Sequence, residues 1–149
     1  MRLEPLSSEE RFQGGFTHRA VLTYADLTET AANTAQTIAI YSAPVGQAVA
    51  KAATRLVTEF EDASDTAFNT TTLIVGDDGS TNRFIASQEL NANGTVVTYK
   101  GNANTTPYVY VTANTVDAVF GSMAAKALND IDTGEVHILL EVIDLTKVG

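Results

Sequence analysis

Residues Thr72–Ser87 read TLIVGDDGSTNRFIAS, two apolar runs around a Gly-Asp-Asp-Gly-Ser-Thr centre. A phosphate loop of the Walker type needs a Lys after its last glycine. Here Gly79 is followed by Ser80. An EF-hand needs oxygen ligands at alternating positions and a terminal Glu, whereas Asp77 and Asp78 are adjacent and no Glu stands at the required distance. The VGDD string also occurs in the palm of RNA-dependent polymerases, but 149 residues leave no room for that fold. What remains is a tight turn between two strands, built from residues that tolerate turn geometry.

The flanking sequence repeats this grammar. In GEVHILLEVIDL, Val136, Ile138, Leu140 and Val142 fall on one face, and Glu135, His137 and Glu141 on the other, the period of a half-buried strand. QTIAIYS alternates through Ile38 and Ile40, and PYVYVTA sets Tyr108 and Tyr110 against Val109 and Val111. Further strands are expected at 17–24, 70–76, 83–88, 95–100 and 115–121. Links such as GDDGSTN, NANG and KGNANTT separate them. Eight or nine short strands at this spacing predict an all-β antiparallel sandwich or barrel. Residues 47–60 fit either a helical stripe (Val49, Ala53, Leu56, Val57, Phe60) or a long strand (Ala52, Thr54, Leu56, Thr58, Phe60). The flanking Thr and Val favour the strand. SMAAKALNDI is expected to form at most a short helical turn.

A chain of 149 residues predicts one domain with a core large enough to need no staples. It has no cysteine, hence no disulfide or thiolate metal site. A net charge of −9 repels phosphate backbones and argues against a nucleic-acid partner. No apolar run is long enough to span a membrane, and the polar start MRLEPLSSEERFQGG lacks the apolar centre of a signal peptide. Asn69, Asn93 and Asn104 open N-x-Thr sequons, read here as accidents of an Asn- and Thr-rich chain.

The search for chemistry yields no catalytic, cofactor or metal set. His18 and His137 lack a partnered nucleophile and fit strand positions. Glu59, Glu61, Asp62 and Asp65 read as an acidic loop, with calcium binding as the rival reading. The chain carries no tryptophan platform for a sugar. Residues 1–15 show no strand or helix period and end in Gly14-Gly15. They are expected to form an extended arm ahead of a β-sandwich domain at 16–149. Leu3, Pro5, Leu6 and Phe12 stand among charges there, a pattern suited to ordering on a partner. The expected contacts are Arg2, Leu6, Arg11 and Phe12, with Phe16 at the root and the two arginines facing acidic groups. Removing residues 2–13 is then expected to leave the domain's stability nearly unchanged.

Three stretches, taken in order, carry a family resemblance. They are ADLTETAANTAQTIAIYSAPVGQAV, RLVTEFEDASDTAFNTTTLIVGDDGSTNRFIAS and DTGEVHILLEVIDL. From Leu27 to Leu145 the chain resembles the capsid cement or decoration proteins of tailed bacteriophages. The resemblance implies a jelly-roll-like sandwich, a homo-oligomer (most often a trimer), the major capsid protein as partner, and a place on the outer surface of the virion. It implies no enzyme activity and no cofactor. The alternatives are a head-fibre base, a neck or tail component, or a calcium- or sugar-binding β-sandwich module.

Overall fold

The structure, a computed structural model, describes residues 1–101 and 107–149; the side chain of Phe12 is outside that description. Most of the KGNANTT link, with the Asn104 sequon, therefore falls outside the described residues. Among the described residues the chain forms ten strands and one short helix. The strands are β1 (Arg2–Pro5), β2 (His18–Thr23), β3 (Gln36–Ala43), β4 (Gln47–Glu61) and β5 (Thr72–Asp77). They continue with β6 (Ser80–Glu89), β7 (Tyr99–Gly101), β8 (Tyr108–Val109), β9 (Asn114–Gly121) and β10 (Thr133–Asp144). The helix is α1 (Ser8–Gly14). No helix is long and apolar enough to cross a membrane.

One sheet runs β1-β2-β10-β4-β7, with β8 also on β4, and the other runs β3-β9-β5-β6. All pairings are antiparallel. Chain order nests the partners: β2 lies beside β10, β3 beside β9, β4 beside β7 and β8, and β5 beside β6. That nesting is a jelly roll, with β1 added at one edge. The expected all-β sandwich is therefore what forms; β4, at 15 residues, and β10, at 12, have close to their expected extents, whereas the strands expected at 95–100 and over PYVYVTA are cut to β7, of 3 residues, and β8, of 2.

The period of two in β10 does what it predicts. Val136, Ile138 and Leu140 are fully buried, while Glu135, His137 and Glu141 face out half-buried. The ambiguous segment 47–60 is strand. It pairs with β10 from Thr133↔Glu61 to Asp144↔Gln47, and Ala52, Thr54, Leu56 and Phe60 point inward. Of the β4 alanines, Ala48 and Ala52 are buried. Phe60 meets Phe120 of the other sheet at 5.4 Å between ring centres. It also occupies the space over Gly134, whose φ of +145° excludes most side chains. SMAAKALNDI contributes one 3₁₀ turn, Leu128–Asp130, as expected.

Residues 1–15, expected as an extended arm without strand or helix, instead form β1 and α1. Residues Arg2–Pro5 pair antiparallel with β2, from Arg2↔Val21 to Pro5↔His18. Leu6 is 5% exposed. Ser7 caps α1 reciprocally with Glu10: the Glu10 N–H donates to Ser7 Oγ at 3.3 Å and the Ser7 N–H to Glu10 Oε2 at 3.0 Å. Gly15, at φ +69°, ends the helix with its N–H on the Arg11 carbonyl. Four- and seven-residue elements are too short to show a period, so caps carried the signal that periodicity lacked.

Candidate interaction surfaces

The opening motif forms the β5–β6 hairpin, Asp77↔Ser80, as predicted. Neither Asp78 nor Gly79 takes a positive φ. The turn is held by Asp77 instead: its Oδ1 accepts the N–H of Gly79 at 3.0 Å and of Ser80 at 2.9 Å. Gly76 is required here, since a Cβ would lie 2.1 Å from the Ser80 carbonyl oxygen.

Asp77 is 1% exposed, yet it is fully partnered. Arg83 donates to it twice, Nε to Oδ2 at 2.7 Å and Nη2 to Oδ1 at 3.1 Å, and the Tyr110 hydroxyl donates to Oδ2 at 3.1 Å. Burial pushes the Asp77 carboxyl up, but the Arg83, Ser80 and Tyr110 hydrogen bonds outweigh it and hold it below its ordinary value. Burial, then the Asp77 charge, pushes the Tyr110 phenol well up. The Arg83 guanidinium also lies 3.7 Å from the centre of the Tyr108 ring. The hairpin thus fixes the segment 108–110 from beneath. That Tyr108 and Tyr110 join the Asp77–Arg83 pair was not legible in the sequence.

The same segment is fixed from its other side by Gly46. The Gly46 N–H donates to the Tyr110 carbonyl at 2.9 Å, Tyr110 N–H to the Gln47 carbonyl at 2.8 Å, and Leu145 N–H to the Gly46 carbonyl at 2.9 Å. Gly46 has φ +87°. Three separate segments therefore meet at one end of β4, and each presents apolar side chains to solvent: Val45, Val109 and Val111, and Leu145 and Val148. Val111 is 79% exposed. Along the same edge of the sheet, Tyr99 of β7 is 71% exposed and pairs in register with Arg55. The opposite edge carries a second group: Met1, Leu3 of β1, and Tyr24 in the 3₁₀ turn after β2. The Met1 ammonium pairs with Asp26 of that turn, which brings these residues together. Exposed apolar groups of this kind mark contact surfaces. The weak sequence signal for them is an apolar residue set directly beside turn residues, as in APVGQ.

The residues expected from sequence to contact a partner are placed as follows. Arg2 pairs with Glu4 of its own strand at 3.0 Å. Leu6 is in the core. Arg11 donates from Nε to the Leu6 carbonyl at 3.0 Å. Phe16 lies half-buried under the Lys51 ammonium, 4.8 Å from its ring centre, and Lys51 donates to the Gly14 carbonyl at 2.6 Å. Arg19 binds both Glu4 and Glu10, tying β1 and α1 to β2. The side chain of Phe12 lies outside the described residues. The segment is thus brought together on its own domain.

The acidic stretch is a loop only in part: Glu59 and Glu61 belong to β4, and the aspartates beyond them serve as turn caps. Asp62 Oδ1 accepts the Ser64 N–H at 2.9 Å, Asp65 accepts the Ala67 N–H at 3.0 Å and pairs with Lys126, and Asp132 accepts the Ala63 N–H at 3.1 Å. Among the described residues no three His, Asp or Glu come together as a metal would require.

The chain matches no family model and no curated protein. Two solved structures contain chains similar to it. A chain of the Cyanophage Pam1 capsid asymmetric unit superposes with a TM-score of 0.57 at 20% identity, over 83% of this chain and 79% of that one. A chain of the acidic stable capsid structure of Helicobacter pylori bacteriophage KHP30 superposes with a TM-score of 0.44 at 16% identity, over 95% of each. The first likeness is one of fold; the second is too distant to argue from.

Proposed function

We propose that this chain is a structural protein of a phage virion, and specifically a capsid cement or decoration protein on the outer surface of the head. The observation that carries the reading is the shared jelly roll with a chain of the cyanophage Pam1 capsid over most of both chains. The exposed apolar groups at both edges of the six-stranded sheet support it, since a cement protein works by contact. Its partners in this reading are the major capsid protein and further copies of itself, as a homotrimer.

The physics of the role is mass action. A protein that binds the assembled lattice and not loose subunits stabilises the lattice by RT ln(1 + [L]/Kd) per site. Repetition over a shell multiplies modest contacts. A net charge of −9 keeps the free protein soluble before it docks.

The test is immunogold labelling of intact particles of the phage that encodes the chain, with antibody raised against the purified protein. Label distributed over the head exterior is the expected result. Label confined to the neck, tail or fibres would transfer the role to those parts, and label absent from both intact and disrupted particles would remove the protein from the virion altogether.

A further inference from the structure

We infer that Asn93–Gly94 is a latent self-modification site, at which the chain converts its own asparagine to an aspartyl or isoaspartyl residue, and that the turn carrying it holds the reaction shut while the fold is intact. This chemistry stands apart from the virion role and needs only water as co-reactant. The Gly94 nitrogen attacks Asn93 Cγ, and the new C–N bond closes a five-membered succinimide. The bond from Cγ to the side-chain nitrogen breaks, and ammonia leaves with the Gly94 proton. Water then opens the ring at either carbonyl, giving the aspartyl or the isoaspartyl chain. Asn93 is exposed, and no other asparagine of the chain is followed by glycine. Gly94 has no side chain to crowd the attack, and packing demands that glycine: a Cβ there would lie 2.7 Å from the Asn69 carbonyl oxygen and 3.2 Å from Glu89 Cγ.

The lock is visible in the turn. The Gly94 N–H donates to the Asn91 carbonyl at 3.0 Å, closing a turn over Asn91–Gly94. Asn93 has a negative φ, since the non-glycine residues at positive φ among those described are Asn33 and Ala125. A hydrogen-bonded turn of that kind is type I, with Asn93 at the third position and its ψ near 0°. The Gly94 nitrogen then stands about 120° from Cβ around the Cα–C bond, whereas ring closure needs the two nearly eclipsed. The attacking nitrogen is thus both tied up and turned away. The turn is also anchored. Asn93 N–H donates to Asn91 Oδ1 at 2.9 Å, and the buried Asn91 donates from Nδ2 to the Phe68 carbonyl at 3.0 Å and from its N–H to Glu89 Oε1 at 2.9 Å. Reaction therefore waits on local opening. Beyond the turn, Val97 N–H donates to the Glu89 carbonyl at 3.0 Å, Gln88 Nε2 to the Val97 carbonyl at 2.6 Å, and Leu56 N–H to the Thr98 carbonyl at 2.8 Å. An isoaspartyl link adds one main-chain carbon between these bonds and the Asn91 anchor, which shifts the approach to β7 and its exposed Tyr99.

The experiment follows Asn93 by peptide mapping and mass spectrometry at mildly alkaline pH in three samples: the folded full chain, the full chain unfolded in guanidinium chloride, and the synthetic peptide ELNANGTVV, residues 89–97. Chromatography separates the isoaspartyl from the aspartyl product. The unfolded chain and the peptide are expected to convert at similar rates, with Asn93 ahead of every other asparagine. The folded chain is expected to convert at least about tenfold more slowly, because each event waits for the turn to open. Asn91→Ala removes the anchor to Phe68 and should speed conversion in the folded state, with its fold checked by circular dichroism. Should that variant fail to fold, the folded and unfolded wild type still decide between the outcomes. Conversion of the folded wild type at the peptide's rate, or a folded Asn91→Ala chain no faster than the wild type, would overturn the lock. Another asparagine leading in the unfolded chain would overturn the site.

Discussion

Arg83 and Asp77 form a two-point pair across the base of a hairpin, Nε to Oδ2 at 2.7 Å and Nη2 to Oδ1 at 3.1 Å, with the carboxylate almost wholly buried. Its weight is best seen by removing one side. Arg83→Ala leaves a buried carboxylate facing the Tyr110 hydroxyl, and breaking such a pair costs about 3 kcal/mol. The Arg83→Ala, Asp77→Asn double variant should lose less than the sum of its parts. Urea denaturation of the four chains measures the coupling, and strict additivity would show that the pair does not act as one unit.

Because the bonds from Arg83, Ser80 and Tyr110 hold the Asp77 carboxyl below its ordinary value, the pair contributes stability present above the unfolded carboxylate value of ~3.9. That contribution is lost as pH falls below it. Melting curves between pH 5 and 2 should fall more steeply for the wild type than for Asp77→Asn.

His18 gives the opposite end of the pH range. Its ring meets Tyr41 of the other sheet edge-on, with 5.1 Å between ring centres, and its Nδ1 lies 2.8 Å from Thr17 Oγ1. Burial, and secondarily the Arg11 charge, lower its pKa in the folded chain. The neutral ring is therefore the one the fold prefers. Stability should be complete above the unfolded value of ~6.5 and decline as pH falls through it toward the folded value. His18→Gln should flatten the melting temperature between pH 7 and 5, and an unchanged slope would assign that dependence elsewhere.

Gly134 is demanded twice, by its φ of +145° and by Phe60, whose Cγ would lie 2.5 Å from an added Cβ. Gly134→Ala should cost about 3 kcal/mol through overpacking and backbone strain. Gly101→Ala, where a Cβ meets nothing within 4 Å, should stay within about 0.5 kcal/mol of the wild type. Denaturation midpoints of the two variants compare these directly.

Deleting residues 2–13 strips β1 from β2, removes Leu6 from the core, and frees Arg19 from Glu4 and Glu10. The melting temperature should drop clearly, opposite to the expectation drawn from the sequence. Leu6→Ala by itself should cost about 2–3 kcal/mol. A deletion variant that melts with the full chain would restore the reading of a detached arm.

The sequence by itself determined the class of fold. Alternation through Val136, Ile138 and Leu140 specifies which face is buried, because a strand's side chains alternate by geometry and a slip of one residue would turn every apolar group to water. The Gly-Asp-Asp-Gly turn is equally local: Asp77 caps backbone N–H groups two and three residues away. What the tertiary structure decided is which distant segments meet. Asp77 and Tyr110 are 33 residues apart, and Gly46 joins segments ending near 110 and 145. No period or spacing encodes such meetings, since they follow from how ten strands nest into two layers. The fate of residues 1–15 shows the same limit. Short elements carry little periodicity, and their place is set by an open edge on β2 and by Arg19, both supplied by the rest of the fold. The exposed apolar edges are likewise products of sheet order, because an apolar side chain on a strand is buried or bare according to which strand, if any, lies beside it.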